Sequence, residues 1–296
     1  MCSSDLTLPA AARTGNLTLR PHSVVESVLY DETTGRAKGV RVVDALTRQS
    51  TEYFARIVFV NAACLNTNLI LLNSKSARFP AGLGNDHGLL GRYLAFHNYR
   101  GIINAAMEGF ADSYYSGRRP TQVMMPNFRN VRKQEMDFQR GYMVFFSASR
   151  GGWSQGNGAS GIGAEFKERI TRPGPWHIFM MMQGETVPRF ENHVRLAADR
   201  SDAWGVPQLV TSVGYTENDE KLIKDFHACG SEMLAQAGAT RITTTDDRRR
   251  PGLDIHEMGG VRMGKDPKQS LLNRWNQLHA CPNVFVTDGA CMASTG

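Results

Sequence analysis

Residues 56–74, RIVFVNAACLNTNLILLNS, and residues 283–289, NVFVTDG, decide how this chain folds. The centre of the first, residues 57–63, is almost continuously apolar, the pattern of a strand covered on both faces and hence of a parallel sheet. Leucines and an isoleucine follow at helical spacing in residues 65–72, so the strand is expected to run straight into a helix. Residues 284–286 form a second short apolar strand that ends in Thr287, Asp288 and Gly289. Two buried strands whose carboxyl ends carry small or polar residues are what an open α/β sheet offers a ligand. The two ends of the chain are therefore expected to share one α/β unit, with the middle inserted between them.

Working outward, residues 17–20, 23–30 and 38–45 alternate apolar and polar side chains. Residues 31–36, with Gly35, are turn chemistry between the last two, which predicts a small antiparallel meander. From about residue 96 to 251 the texture changes. Residues 142–146, 177–182 and 207–214 read as strands divided by Gly, Pro and Asn, and one clear helix interrupts them. Its start is the Thr216 to Glu220 segment, and Leu222, Ile223, Phe226, Met233 and Leu234 line one face until Gly238 stops it. The fold class expected is α/β plus antiparallel α+β. Residues 1–94 and 251–296 make one unit, and residues 95–250 make a second, antiparallel one.

The 296 residues are 41% hydrophobic and 21% charged, too apolar for a disordered tail and too mixed for a fibre. No apolar run approaches the roughly 18 residues of a membrane span, so no transmembrane segment is expected. The five cysteines, at 2, 64, 229, 281 and 291, are widely spaced and form no CxxC pair, against both a disulfide framework and a zinc ribbon. A net charge of +6 comes from scattered Lys and Arg, and the densest run, Arg248 to Arg250, follows Asp246 and Asp247. That reads as a solvated face, and nucleic acid is not expected as a partner.

Two short motifs fail on spacing. Gly156, Gly158 and Gly161 satisfy GxGxxG, but residues 149–155 separate them from the upstream strand, whereas a dinucleotide fingerprint turns at once from strand into helix. A flexible glycine loop is the plainer reading. His256 and Glu257 begin an HExxH pattern whose fifth position is Gly260, so the second imidazole is missing and no metal site is expected. The histidines at 22, 87, 97, 177, 193 and 227 have no neighbouring Ser, Cys or Asp pattern that would mark a triad, and are read as surface or hydrogen-bonded residues.

Residues 254–294, DIHEMGGVRMGKDPKQSLLNRWNQLHACPNVFVTDGACMAS, place a histidine before a glycine-rich turn, then a Met-Gly pair, then a strand ending in Asp-Gly. This order resembles the C-terminal signature of the glucose–methanol–choline (GMC) flavoprotein oxidoreductases. His256, Gly259 and Met263 match its H-x-x-G-x-x-x-M element, and Val286, Asp288 and Gly289 match its V-x-D-G/A element. Residues 17–72 resemble the family's meander and the strand–turn–helix after it, and residues 82–97, GLGNDHGLLGRYLAFH, resemble its passage into the substrate domain.

The resemblance implies FAD as cofactor, a small alcohol or sugar as substrate, and an electron-acceptor protein or a quinone as a further partner. It implies a partial FAD-binding domain carrying an inserted antiparallel-sheet substrate domain. His256 is implied as the general base, with the alternative that it only hydrogen-bonds a loop. Val25, Ala63, Cys64, Asp288 and Gly289 are implied at the cofactor, Val25 on its adenine side. A glycine after a strand lets backbone N–H groups approach a ligand oxygen, while an aspartate there accepts from a hydroxyl or caps a following helix. Cys64 stands where the family usually has glycine. The family's opening strand–GxGxxG–helix and its closing second active-site residue find no match, so the resemblance implies a chain truncated at both ends and inactive alone. Compartment stays open between cytoplasm and periplasm. A non-catalytic polyol- or carbohydrate-binding or interaction module derived from a flavoenzyme is the alternative function.

Overall fold

The computed structural model describes residues 6–110, 122–150, 160–172, 174–252 and 255–295. Gly156 and Gly158 of the glycine-rich loop lie outside them. A short helix, α1 (Leu8–Arg13), buries none of its residues. The meander follows as β1 (Ser23–Asp31), β2 (Arg36–Asp44) and β3 (Ser50–Phe54), paired antiparallel in that order. Asp31 makes the first turn by accepting from the Thr33 amide and the Thr34 hydroxyl, and Gly35 takes the positive φ that the turn needs. Residues 17–20 are not a strand. Leu17 and Leu19 are exposed there, because alternation without a neighbouring strand has no ladder to join.

Next come β4 (Val58–Phe59) and α2 (Cys64–Asn73), the expected strand and helix in immediate succession. The strand is shorter and less covered than its sequence suggests. Val58 and Val60 are buried, but Ile57 and Phe59 are 54% and 60% exposed. The reason is position. β4 is the edge of a three-stranded sheet in which β15 (Gln277–Leu278) and β16 (Cys281–Phe285) precede it. Val58 and Phe59 pair in parallel with Val284 and Phe285, so the two apolar strands from opposite ends of the sequence do share a sheet. Asn283 fastens the join: its side-chain amide donates to the carbonyls of Ala37 and Arg56 and its oxygen accepts from the Ala37 amide.

The middle of the chain supplies β5 (Arg92–Ala95), β6 (His97–Asn98), β7 (Gly101–Met107), β8 (Val123–Met125), β9 (Tyr142–Arg150), α3 (Gly163–Thr171), β10 (Trp176–Glu185), β11 (His193–Ser201), β12 (Pro207–Ser212), α4 (Glu217–Gln236) and β13 (Thr240–Asp246). Strands 13, 7, 10, 9 and 8 lie side by side, with β6 also on β10, in a six-stranded antiparallel sheet. One face of it is packed by α4. That helix begins with the expected capping box, Thr216 and Asp219 each bonding the other's backbone, and ends where Gly238 turns at positive φ. Leu222, Ile223, Phe226 and Leu234 are buried as expected, but Met233 is 37% exposed, since Gly230 and not Met233 meets the sheet.

A four-stranded sheet, β12-β11-β5-β14 with β14 (Met258–Gly260), joins the two regions. Two cores result. One gathers residues of β1, β4, α2 and β16 with Val194 of β11, and the other lies between the six-stranded sheet and α4. Among the described residues no helix is long and apolar enough to cross a membrane.

Candidate active site

The ends of β4 and β16 bring the sequence-selected residues together. Ala63 leaves the strand with φ 63° and ψ 160°, and α2 starts at the next residue with no side-chain cap on its N-terminus. Such an end offers backbone N–H groups and positive dipole character. Cys64 turns its thiol inward, Sγ 3.4 Å from the Gly259 carbonyl oxygen, and is 3% exposed. Burial, and then the charges of Asp288 and Glu257, push that thiol up to about 12, so it stays protonated and inert near neutral pH. The side chain that replaces a glycine hydrogen is thus accommodated within the protein.

Asp288 caps the short 3-10 turn Gly289–Cys291 by accepting from the Ala290 amide at 2.9 Å. Its other oxygen accepts from the Thr67 hydroxyl of α2 at 2.5 Å. One carboxylate therefore ties the two helical starts to each other. Gly289 is needed by the chain itself, because a Cβ there would stand 2.7 Å from the Glu257 carbonyl oxygen and 3.6 Å from the Cys64 Cβ. This close approach fixes the turn against the residue next to His256. Val25 belongs to the meander instead, paired with Val42 and packed against the first core.

His256 holds a positive φ of 67° just before β14 and is exposed. It forms one end of a cavity of about 340 Å³ that Tyr99, Phe145, Met181 and Arg249 also line. Behind it stands His97, 2% exposed, its ring edge-on to that of His256. Gln183 of β10 lies with Nε2 2.8 Å from His97 Nε2. With the carboxamide so oriented, the amide N–H donates and the ring nitrogen offers its lone pair. Burial, then the neighbouring His256 charge, lower the His97 pKa to about 4, so this ring is neutral wherever the protein works near neutrality. The sequence reading of His97 as a hydrogen-bonded residue holds, but not its place. Eighty-six positions separate it from Gln183, and the only signal is that it closes the stretch entering the inserted region.

A family model and several curated proteins are similar to this chain. The model of the family described as GMC oxidoreductase matches residues 188–296, which include His256, Asp288 and Gly289. A 2-methyl-1,2-propanediol dehydrogenase of Mycolicibacterium austroafricanum is 29% identical over 94% of this chain and 50% of its own length. Residues 188–296 are thus similar to GMC oxidoreductases. GMC oxidoreductases are flavoproteins that act on CH–OH groups of their donors. The fructose dehydrogenase large subunit of Gluconobacter japonicus is 26% identical over 84% of this chain and 45% of its own. A formate oxidase of Aspergillus oryzae, solved in a variant studied for its FAD modification, superposes with a TM-score of 0.62 at 13% identity, covering 95% of this chain and 57% of that one. That likeness shows a shared fold, mixed α/β and mostly sheet. The chain spans about half the length of the curated relatives it matches.

The residues present fit a flavin in kind. An uncapped helix start at Cys64 and a glycine turn at Gly289 offer backbone donors suited to the oxygens of such a cofactor, and the imidazole of His256 borders a cavity with an apolar wall.

Proposed function

We propose that this chain carries the substrate side and part of the flavin side of an FAD-dependent oxidoreductase that oxidises the CH–OH group of an alcohol or sugar, with His256 as the general base. The observation that carries the reading is the packing of the Asp288–Gly289 turn against the Cys64 side chain at the α2 start and against the carbonyl of Glu257, the residue next to His256, which in turn lines the cavity. In this reading residues 1–94 and 251–296 hold the cofactor and residues 95–250 face the substrate. Ala63, Cys64 and Gly289 offer backbone N–H groups to the cofactor, Asp288 holds the two turns in place, and Val25 contributes on the adenine side. The share of the enzyme supplied here is the share that matches about half of each longer relative, and alone it is expected to be inactive.

A bound flavin supplies the acceptor for the hydride leaving the carbinol carbon. The protein does the rest. An unprotonated imidazole nitrogen of His256 accepts the hydroxyl proton as the carbonyl forms, a contribution typically worth about 10²–10⁴ in rate. His97 stands behind it as a neutral, buried ring, so no second positive charge opposes the proton that His256 takes up. Phe145 and Met181 give the cavity beside His256 an apolar wall. The test is anaerobic: the chain, expressed in frame with whatever coding sequence flanks it and supplied with FAD, should lose the oxidised-flavin absorbance when an alcohol is added. Flavin that binds but stays oxidised with every alcohol and sugar tried would favour the binding-module alternative.

A further inference from the structure

The six-stranded sheet presents to His256 the face that α4 does not cover. Met181 pairs with Ile102 on one side and with Phe145 on the other, and Phe145 pairs in turn with Met124. Cross-strand partners share a face, so these four side chains form an apolar band across four strands. Met143, two residues before Phe145 on β9, extends it. The opposite face carries Ile103, Val144 and Met180 into the core against α4.

Two cavities open along the band. The first, about 340 Å³, runs from His256 to Phe145 and Met181. The second, about 330 Å³, is lined by Met124, Met143 and Gln183, the residue whose amide meets His97. Polar groups gather at the two ends. Gln122 and Arg249 sit with His256 at one, and Glu185, paired with Arg140, stands at the other. Between them the lining is mainly thioether and hydrocarbon, with the Tyr99 phenol and the Gln183 amide as polar members.

Those chemistries discriminate between classes of alcohol. A sugar brings a hydroxyl on nearly every carbon, and each one buried without a partner weakens binding. Thioether sulfurs and rings donate no hydrogen bond and accept only weakly. Methionine does adapt to irregular apolar shapes and makes favourable contacts with aromatic rings. Size is compatible: a dry apolar cavity of about 150 Å³ takes up benzene, so the cavity beside His256 holds a ring with a short chain.

We propose that the substrate of this site is an alcohol with an aliphatic or aromatic body and its hydroxyl at one end, held against the Met124–Phe145–Met181 band, and not a polyhydroxylated sugar. The assignment rests on His256 being the base, since that is what orients the hydroxyl end.

The test reads binding and not turnover. The chain is prepared with isotope-labelled methionine methyl groups and titrated separately with 3-phenylpropan-1-ol and with glucose, while methyl resonances are followed by NMR. Met143→Leu and Met181→Leu variants assign the two signals. The expected result is that 3-phenylpropan-1-ol moves the Met143 and Met181 methyl signals with an apparent Kd at least about tenfold below that of glucose, the penalty of little more than one unpartnered hydroxyl. Glucose moving them at equal or lower concentration overturns the proposal, and so does a titration in which neither compound moves them. Either failure leaves the role of His256 standing, because that role is read from flavin reduction with any alcohol.

Discussion

His97 and His256 meet edge to face, ring centroids 5.1 Å apart and planes at 84°, yet only His97 is buried. An imidazole shut away from water beside a second imidazole has every reason to refuse a proton. Its pKa falls to about 4, from burial first and the His256 charge second. In the unfolded chain the same group titrates near its ordinary value of about 6.5. Between those values the unfolded state binds a proton that the folded state excludes, so stability declines as pH drops from about 6.5 to about 4 and levels off below. The loss attributable to His97 is as much as about 3 kcal/mol. Urea unfolding at pH 7 and at pH 4.5 should show a smaller difference for His97→Gln than for the parent. Equal differences would show that His97 is not the group responsible.

The Asp288 carboxylate joins Thr67 of α2 to the Ala290 amide. Asp288→Ala removes a cap and leaves the Thr67 hydroxyl, which is fully buried, without that acceptor. A destabilisation of about 2–3 kcal/mol is expected, with part of it restored in Asp288→Asn, whose single carboxamide oxygen replaces one of the two accepting oxygens. Denaturant midpoints of the three proteins check this, and an alanine variant as stable as the parent contradicts it.

Arg100, whose side chain is 9% exposed, donates to Glu220 of α4 and to Asp246 of β13. The guanidinium holds the Asp246 carboxyl below the usual carboxylate range. Because both carboxylates keep access to water, Arg100→Met is expected to cost about 2 kcal/mol, less than a wholly buried pair would. Asp246 is lowered in the folded state, so its share of the stabilisation is present above the unfolded carboxylate pKa and fades as pH falls through the folded one. The gap between parent and variant in thermal unfolding should therefore narrow in acid.

Gly260 carries a φ of 85°, and a Cβ there would stand 2.1 Å from Asn68 Oδ1 and 2.4 Å from its Nδ2. Asn68 is itself fixed, its amide donating to the carbonyls of Cys64 and Gly259. Gly260→Ala should therefore both strain the backbone and break the contact between α2 and β14, costing about 2–4 kcal/mol. Gly205→Ala, at a similar φ of 83° but with nothing within 4 Å, isolates the conformational part and should cost only about 1 kcal/mol. Comparable losses in the two variants would mean that crowding by Asn68 contributes nothing.

Features written into a few adjacent residues are legible in the sequence. The Asp31–Gly35 turn, the Thr216–Asp219 capping box and the β4–α2 succession each follow from local chemistry, and all three are present. Partnership between distant segments is not legible in the same way. The apolar run at residues 57–60 says that a strand forms there, but not that its neighbour stands on one side only, which leaves Ile57 and Phe59 exposed. Periodicity alone also places Met233 on the buried face, where the close approach of Gly230 to Ile103 decides otherwise. At the site, His256, Asp288 and Gly289 stand out through their motif. His97 and Gln183 do not, because nothing in either segment announces that β6 and β10 will pair.

The central claim is that His256 accepts the hydroxyl proton. The most direct measurement is rapid-mixing absorbance of flavin reduction by 3-phenylpropan-1-ol, made on the FAD-loaded chain with its flanking coding sequence, parent against His256→Ala. Reduction is predicted to be about 10²–10⁴-fold slower in the variant, with its flavin content unchanged. A variant that reduces its flavin as fast as the parent would contradict the claim.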